Sequence, residues 1–302
     1  MFADLVLEPL AFPMDPAKRI YWGCLLSSLV LASAATAIRA GQLDIAKQLR
    51  SLANRRYWFN ASTCTDIGLL LVNNAVRALI LVPALGSRLL ATLVVGRFLQ
   101  DRLGDAPPPE LPWLAIATIY TVTMFVAEDA SRYFLHFTMH RFRPLWRFHR
   151  VHHSATVLTP LTLFRVHPVE HLLYYLRGLA VFGLVSGCFV WLFGRQLAAF
   201  DVLGVGLLGF LFNLAGSNLR HSHVWLSFGR FERWFVSPAQ HQLHHSRHHG
   251  QRNLGSALAI WDRLMGTALP AGRHRQLHFG TPCPERNPAT QRHAARRAAP
   301  AP

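Results

Sequence analysis

Lysine is almost missing from this chain. It occurs only at Lys18 and Lys47, so arginine supplies nearly all of the 31 basic side chains. Acidic residues are also few, 15 in 302, and charged residues of both signs make up 15%. Soluble domains carry roughly 25%, so the shortage argues against a surface that is wet all round. Cysteine is scarce too. Cys24, Cys64, Cys188 and Cys283 stand far apart with no C-x-x-C pair, which argues against a disulfide framework and a thiolate metal site. The first 20 residues contain Asp4, Glu8 and Asp15 and lack the basic start and small-residue cleavage site of a secretory signal, so no cleaved leader is expected. The net charge of +16 comes without a zinc finger, a basic helix with interleaved aromatics or another nucleic-acid signature. The basic excess fits an anionic membrane surface, and no nucleic-acid partner is expected.

Apolar residues are plentiful: 51% of the chain, with a mean hydropathy of +0.21. A spanning helix needs about 20 mostly apolar residues. Residues 20–38, 111–126, 172–193 and 197–215 meet that need, and 67–85 does so with Asn73, Asn74 and Arg77 inside it. Residues 87–99 are apolar but short, interrupted by Arg88 and Arg97, and read as an interfacial or re-entrant piece. The expected fold is all-α, a polytopic membrane protein with four to five spans. Residues 1–110 form an amino-terminal membrane region, 111–270 a second domain that carries most of the histidines, and 271–302 a basic, disordered tail. Arginines follow the first, third and fifth expected spans, while Gly194-Arg195 is a short turn on the other side. The positive-inside bias then puts the arginine-rich segments on the cytoplasmic face, as in a bacterial inner membrane.

Histidine is the outstanding feature. There are 17, and 14 lie between His136 and His249. His136 and His140 are four apart. His149, His152 and His153 form H-x-x-H-H, and His241, His244 and His245 repeat it. Residues at i, i+3 and i+4 share a helix side, so each triplet is expected to point its imidazoles one way. Ser237, Pro238 and Gln240 predict a capped helix start, Gly250 a stop, and Pro144 a break between the first pair and the first triplet. These eight histidines are too many for one tetrahedral zinc and suit two metal ions. One of His221 and His223 is a ninth candidate ligand, with His223 the expected one. Asp129, His171, His221 and Asp262 are candidates to orient the ligands. His248 and His249 read as solvated surface. His167-Pro168-Val169-Glu170-His171 spells H-x-x-E-H, an inverted zinc-protease pattern; Pro168 and Glu170 fit better as the start of a spanning helix.

These residues resemble the fatty acid hydroxylase / sterol desaturase superfamily of membrane di-iron enzymes. The resemblance runs over residues 125–270. It includes Asp129 ahead of His136 and His140, then 146–154 (WRFHRVHHS), 165–171 (RVHPVEH), 217–226 (SNLRHSHVWL), 237–246 (SPAQHQLHHS) and 261–267 (WDRLMGT). It implies a cytoplasmic histidine-rich cap on membrane helices, two iron ions (zinc as isolated is compatible), dioxygen, a lipid substrate to be hydroxylated or desaturated, and an external electron donor. No cytochrome, flavin-binding or iron–sulfur pattern occurs in the chain, so a reductase, ferredoxin or cytochrome is expected to supply the electrons. The chain departs from the D-x-N-Y-G of many members, reading Gln251-Arg252-Asn253-Leu254-Gly255. That substitution removes an acid that could support a ligand. The rival readings are a zinc-dependent membrane hydrolase and a metal transporter. A transporter should carry mid-bilayer ligands and internal repeats, and no repeat is seen.

Overall fold

The computed structural model describes residues 2–42, 44–46, 50, 53–106, 110–194, 197–202, 205–274 and 276–281. Lys47, Arg195, Cys283 and the tail beyond 281 lie outside these residues. The main helices are α1 (Phe2–Ala11), α2 (Trp22–Ala40), α3 (Ala61–Val76), α4 (Arg88–Leu103), α5 (Trp113–Arg141), α6 (Arg143–His149), α7 (Pro168–Phe193), α8 (Leu207–Leu214) and α9 (Pro238–His245). The strand structure among the described residues is a two-residue antiparallel pair, Asp201–Val202 with Val205–Gly206, and two isolated bridges. The chain is an all-α polytopic membrane protein. Four helical stretches are long and apolar enough to cross a bilayer: Trp22–Ala40, Ala61–Leu103, Trp113–Arg141 and Pro168–Phe193.

Two expectations about spans change. Residues 67–85 and 87–99 do not form a span and a separate re-entrant piece. They belong to one helical run, Ala61–Leu103, which passes through a π turn at Arg77–Leu81 and bends at Gly86. Gly86 has φ +78°, a conformation open to glycine and costly for other residues, and Ser87 then caps α4 by accepting from the Leu90 N–H. The fifth expected span, 197–215, does not form as one continuous helix among the described residues. The strand pair at 201–206 interrupts it and leaves α8 with eight residues, about 12 Å of helix against a bilayer core of about 30 Å.

The membrane helices hold the site from one side. α4 runs parallel to α7, and glycines let them meet. Gly183 lies under Ala91 and Gly187 under Val95, where an added Cβ would come within 2.9 and 2.5 Å of those side chains. Residues 183–187 read G-x-x-x-G, the small-residue spacing of close membrane helix pairs. α5 runs antiparallel to α7. Tyr120 and Ser186 hydroxyls meet at 2.9 Å, and Arg177 donates to Ser131 Oγ at 2.7 Å and to Glu128 at 3.1 Å. The end of α5 and the start of α7 therefore come together, and the histidine-rich segments fold over that junction. The folded chain continues past 270: Leu277 covers the cluster of Trp225, Ala239, Leu243 and Ala271, and the Arg247 N–H donates to the His278 carbonyl.

Candidate metal centre

Nine histidines converge in two groups. His136, His140, His149, His153 and His244 form one; His152, His221, His241 and His245 form the other. Within each group one ring nitrogen per residue lies within 4.8 Å of all the others. The His153 and His245 rings stack between the groups, with centroids 4.7 Å apart. Eight of the nine sequence-derived positions are brought together. His223 is not. It is exposed and meets Tyr57 edge-on, while His221, expected as its neighbour, is buried in the second group. The 3-10 turn Ser217–His221 ends just before Ser222, where the extended backbone sends the next side chain away.

The triplets also divide. His149 and His153 serve the first group and His152 the second; His241 and His245 serve the second and His244 the first. At about 100° per residue, i+4 lies about 40° from i, whereas i+3 lies about 60° round the opposite way. A triplet therefore reaches two points side by side, not one. α9 starts as expected: Ser237 Oγ accepts from the Gln240 N–H at 3.1 Å and Gln240 Oε1 from the Ser237 N–H at 3.0 Å. It ends at His245, five residues short of Gly250, because Ser246 turns to ψ 149°. The first triplet is only partly helical, with His149 closing α6 and His152 and His153 in a 3-10 turn.

The donor atoms fit a cation. His136 Nδ1–H donates to the Leu254 carbonyl at 2.7 Å, and His149 Nδ1–H to Glu170 Oε1 at 2.8 Å. Both Nε2 atoms are then bare lone pairs, yet they lie 3.0 Å apart. His241 and His221 Nε2 are also 3.0 Å apart, as are His221 and His245. Imidazole nitrogens bind transition metals at about 2.0–2.1 Å, so two at right angles around one ion stand about 3 Å apart. His244 Nε2 is buried without a hydrogen-bond partner, an orphan that a metal would satisfy. Burial holds the rings neutral: the His149 and His152 imidazoles are pushed down to about 3, chiefly by desolvation, and those of His153, His221, His241, His244 and His245 fall well below the ordinary range for the same first cause. Neutral imidazole is the form that ligates, and all-nitrogen sets suit iron, zinc, copper or nickel.

Residues 121–267 match the fatty acid hydroxylase family. They belong to the fatty acid hydroxylase / sterol desaturase superfamily. An ornithine lipid hydroxylase, OlsE, from Rhizobium tropici is 31% identical over 147 residues, 47% of this chain and 39% of the relative. An alkylglycerol monooxygenase from Danio rerio is 29% identical over 164 residues, 53% of this chain and 32% of the relative. The very-long-chain aldehyde decarbonylase GL1-9 of Oryza sativa subsp. indica is 30% identical over 172 residues, 56% of this chain and 62% of the relative. The chain thus spans from a third to three-fifths of the length of these relatives. No solved structure matches it.

Within this superfamily domain the carboxylates play other parts than the expected ones. Asp129 touches no imidazole; it accepts from the Ala257 and Leu258 N–H groups at 2.7 and 3.0 Å and from Trp261 Nε1 at 2.9 Å. Asp262 accepts from the Leu254 and Gly255 N–H groups at 2.7 and 2.8 Å and from Thr267 Oγ1 at 2.6 Å. Together they fix the 254–258 loop, so Asp262 acts on His136 through the Leu254 peptide. His171 joins neither group, and His167 caps α7 by accepting from the Val169 N–H at 3.1 Å; the H-x-x-E-H residues do not assemble a site. In place of the missing acid at 251, main-chain carbonyls serve: Arg252 accepts from His244 Nδ1–H at 3.0 Å.

Two supporting residues were not anticipated. Glu170, 2% exposed, is the carboxylate that holds His149. Its signal was an acid at the mouth of a span, where ionisable groups are costly unless used. The second is Arg165, whose carbonyl accepts from His152 Nδ1–H at 3.2 Å. Its side chain pairs with Asp66 of α3 at 2.6 Å and also bonds Ser62. Thr162 adds a 2.9 Å bond to Asp66. The amino-terminal region thus reaches the second group through one buried ion pair.

Proposed function

We propose that this chain is a membrane-bound di-iron oxygenase that hydroxylates or desaturates a lipid. The observation that carries the reading is the pair of adjoining, buried, all-histidine groups at the junction of two membrane helices. His136, His140, His149, His153 and His244 would hold one iron, and His152, His221, His241 and His245 the other. Bound there, two irons would supply the dioxygen reduction and C–H oxidation that the side chains alone cannot. The protein's own share is positional. Glu170 and the carbonyls of Leu254, Arg252 and Arg165 fix which ring nitrogen faces inward. The buried surroundings keep water from the reacting carbon.

On the side away from the membrane helices, an opening is lined by Trp146, His153, His245, Arg247 and Arg252. Electrons would come from a separate carrier approaching this basic face, which the arginine bias assigns to the cytoplasm. Ornithine lipid hydroxylase and alkylglycerol monooxygenase, as names of relatives, favour oxygen insertion; the decarbonylase shows that similar domains serve another outcome, so the product must be measured.

The test is purification of the full chain in detergent, metal analysis, and lipid mass spectrometry of cells with and without the gene. Two irons per chain and an oxygen-dependent gain of one oxygen, or loss of two hydrogens, are expected. Stoichiometric zinc with lipid hydrolysis and no oxygen uptake would replace the reading with a hydrolase. Metal flux into vesicles without lipid change would replace it with a transporter.

A further inference from the structure

Below the imidazoles lies a pocket of about 590 Å³ between α5, α7, α8 and the turn before α2. Its apolar part includes Met124, Phe125, Phe182, Phe200, Leu208 and Phe212. Its polar part is basic. Arg19, Arg88 and Arg132 line it together with Glu128 and Asp129. Both acids already have partners, although Glu128 Oε1 is buried without one. Asp129 accepts three hydrogen bonds from the 257–261 segment, and Glu128 Oε2 is shared by Arg132 at 3.2 Å and Arg177 at 3.1 Å. Arg88 lies over the Phe182 ring, where Gly178 leaves it room, and has no carboxylate partner among the described residues. Neither has Arg19. Burial pulls the Arg19 guanidinium down to about 10, which leaves it charged at neutral pH. Arg19 and Arg132 are half-buried and Arg88 is exposed, and cations beside membrane helices are expensive and ask for an anion.

The register on α5 says where that anion sits. Glu128, Arg132, His136 and His140 follow at i+4 steps and share one helix side. Arg132 is one turn, about 6 Å, from His136. The pocket continues the same side away from the histidines, through Phe125 and Met124 to Thr121. Charge is thus nearest the imidazoles and apolar lining farthest from them.

We propose that this pocket binds a lipid by an acidic headgroup, phosphate or carboxylate, held by Arg19 and Arg132 with its chain along the phenylalanines. The proposal rests on the oxygenase reading and names the substrate class: acidic lipids oxidised near the head, not at the chain end.

The experiment is retention of added lipid by the purified full chain with its metals, in an uncharged detergent, read by native mass spectrometry. Phosphatidic acid, oleate, diacylglycerol and inorganic phosphate are compared. One phosphatidic acid or oleate per chain is expected, held at least about tenfold more tightly than diacylglycerol of the same chains. Arg19→Gln should lose that preference while Arg19→Lys keeps most of it, both with unchanged metal content. Equal retention of diacylglycerol overturns the proposal, and that comparison needs no variant. Displacement by inorganic phosphate at matching concentration also overturns it, since the chain would then add nothing. An enzyme that oxidises a neutral lipid would keep the oxygenase reading and remove only this one.

Discussion

The two histidine groups draw on the same pair of H-x-x-H-H segments, yet they are held differently. In the first, three of five rings have a fixed outer partner: His136 on Leu254, His149 on Glu170 and His244 on Arg252. One of those partners is a carboxylate. In the second, among the described residues, only His152 has one, the carbonyl of Arg165; each group also holds one ring whose Nδ1 is buried without a partner, His140 in the first and His241 in the second. Outer partners set tautomer, orientation and basicity. The first group is therefore preorganised for its ion, whereas the second depends on α9, the 217–221 turn and an ion pair to the amino-terminal region. The expected consequence is unequal affinity, with the second ion leaving first during graded chelation. Simultaneous loss of both ions would break the contrast.

The largest effects come from removing ligands. His149→Ala should cost the first ion and His241→Ala the second, each lowering lipid oxidation by more than about 100-fold, above the range for loss of an outer partner. Metal analysis distinguishes the two: each variant should retain one ion per chain. If either loses both, the groups are one coupled site.

Asp66→Asn comes next. It leaves Arg165 charged and buried, which costs about 3–5 kcal/mol, visible as a lower unfolding midpoint in denaturant. The Arg165 backbone should shift with it and weaken the second ion before the first. Glu170→Gln sharpens the contrast from the other side. It keeps the shape but withdraws the carboxylate from His149, so affinity at the first group should fall by about 10–100-fold with the second unchanged. Equal weakening at both groups would mean that Glu170 supports the shared fold and not one ion.

How much of this was legible follows from how local each signal is. Pairs such as His136 and His140, or His241 and His245, announce themselves because helix geometry alone brings i and i+4 together. The Ser237 cap is equally local. The division of each triplet between two ions was not legible, because it depends on how four separate segments meet. Glu170 and Asp66 were missed for the same reason: their partners are 21 and 99 residues away. Residues 197–215 misled in the opposite sense. Hydropathy sums composition and does not register the strand pair of Asp201–Val202 with Val205–Gly206, so an apolar stretch looked like one continuous spanning helix.

The smallest expected effect tests the finest of these distinctions. His221 and His223 are two residues apart, and spacing alone allowed either to be the ninth ligand. Backbone direction separates them. His221 closes the 3-10 turn with its ring among His152, His241 and His245. Ser222, at ψ 175°, is extended, and His223 ends outside against Tyr57. His223→Ala should therefore keep both ions and leave lipid oxidation within about twofold, as for a surface substitution near ±0.5 kcal/mol. His221→Ala should empty the second group. The opposite result would mean that the 217–223 segment rotates when metal binds, bringing His223 inward, and that the turn is a moving part of the centre.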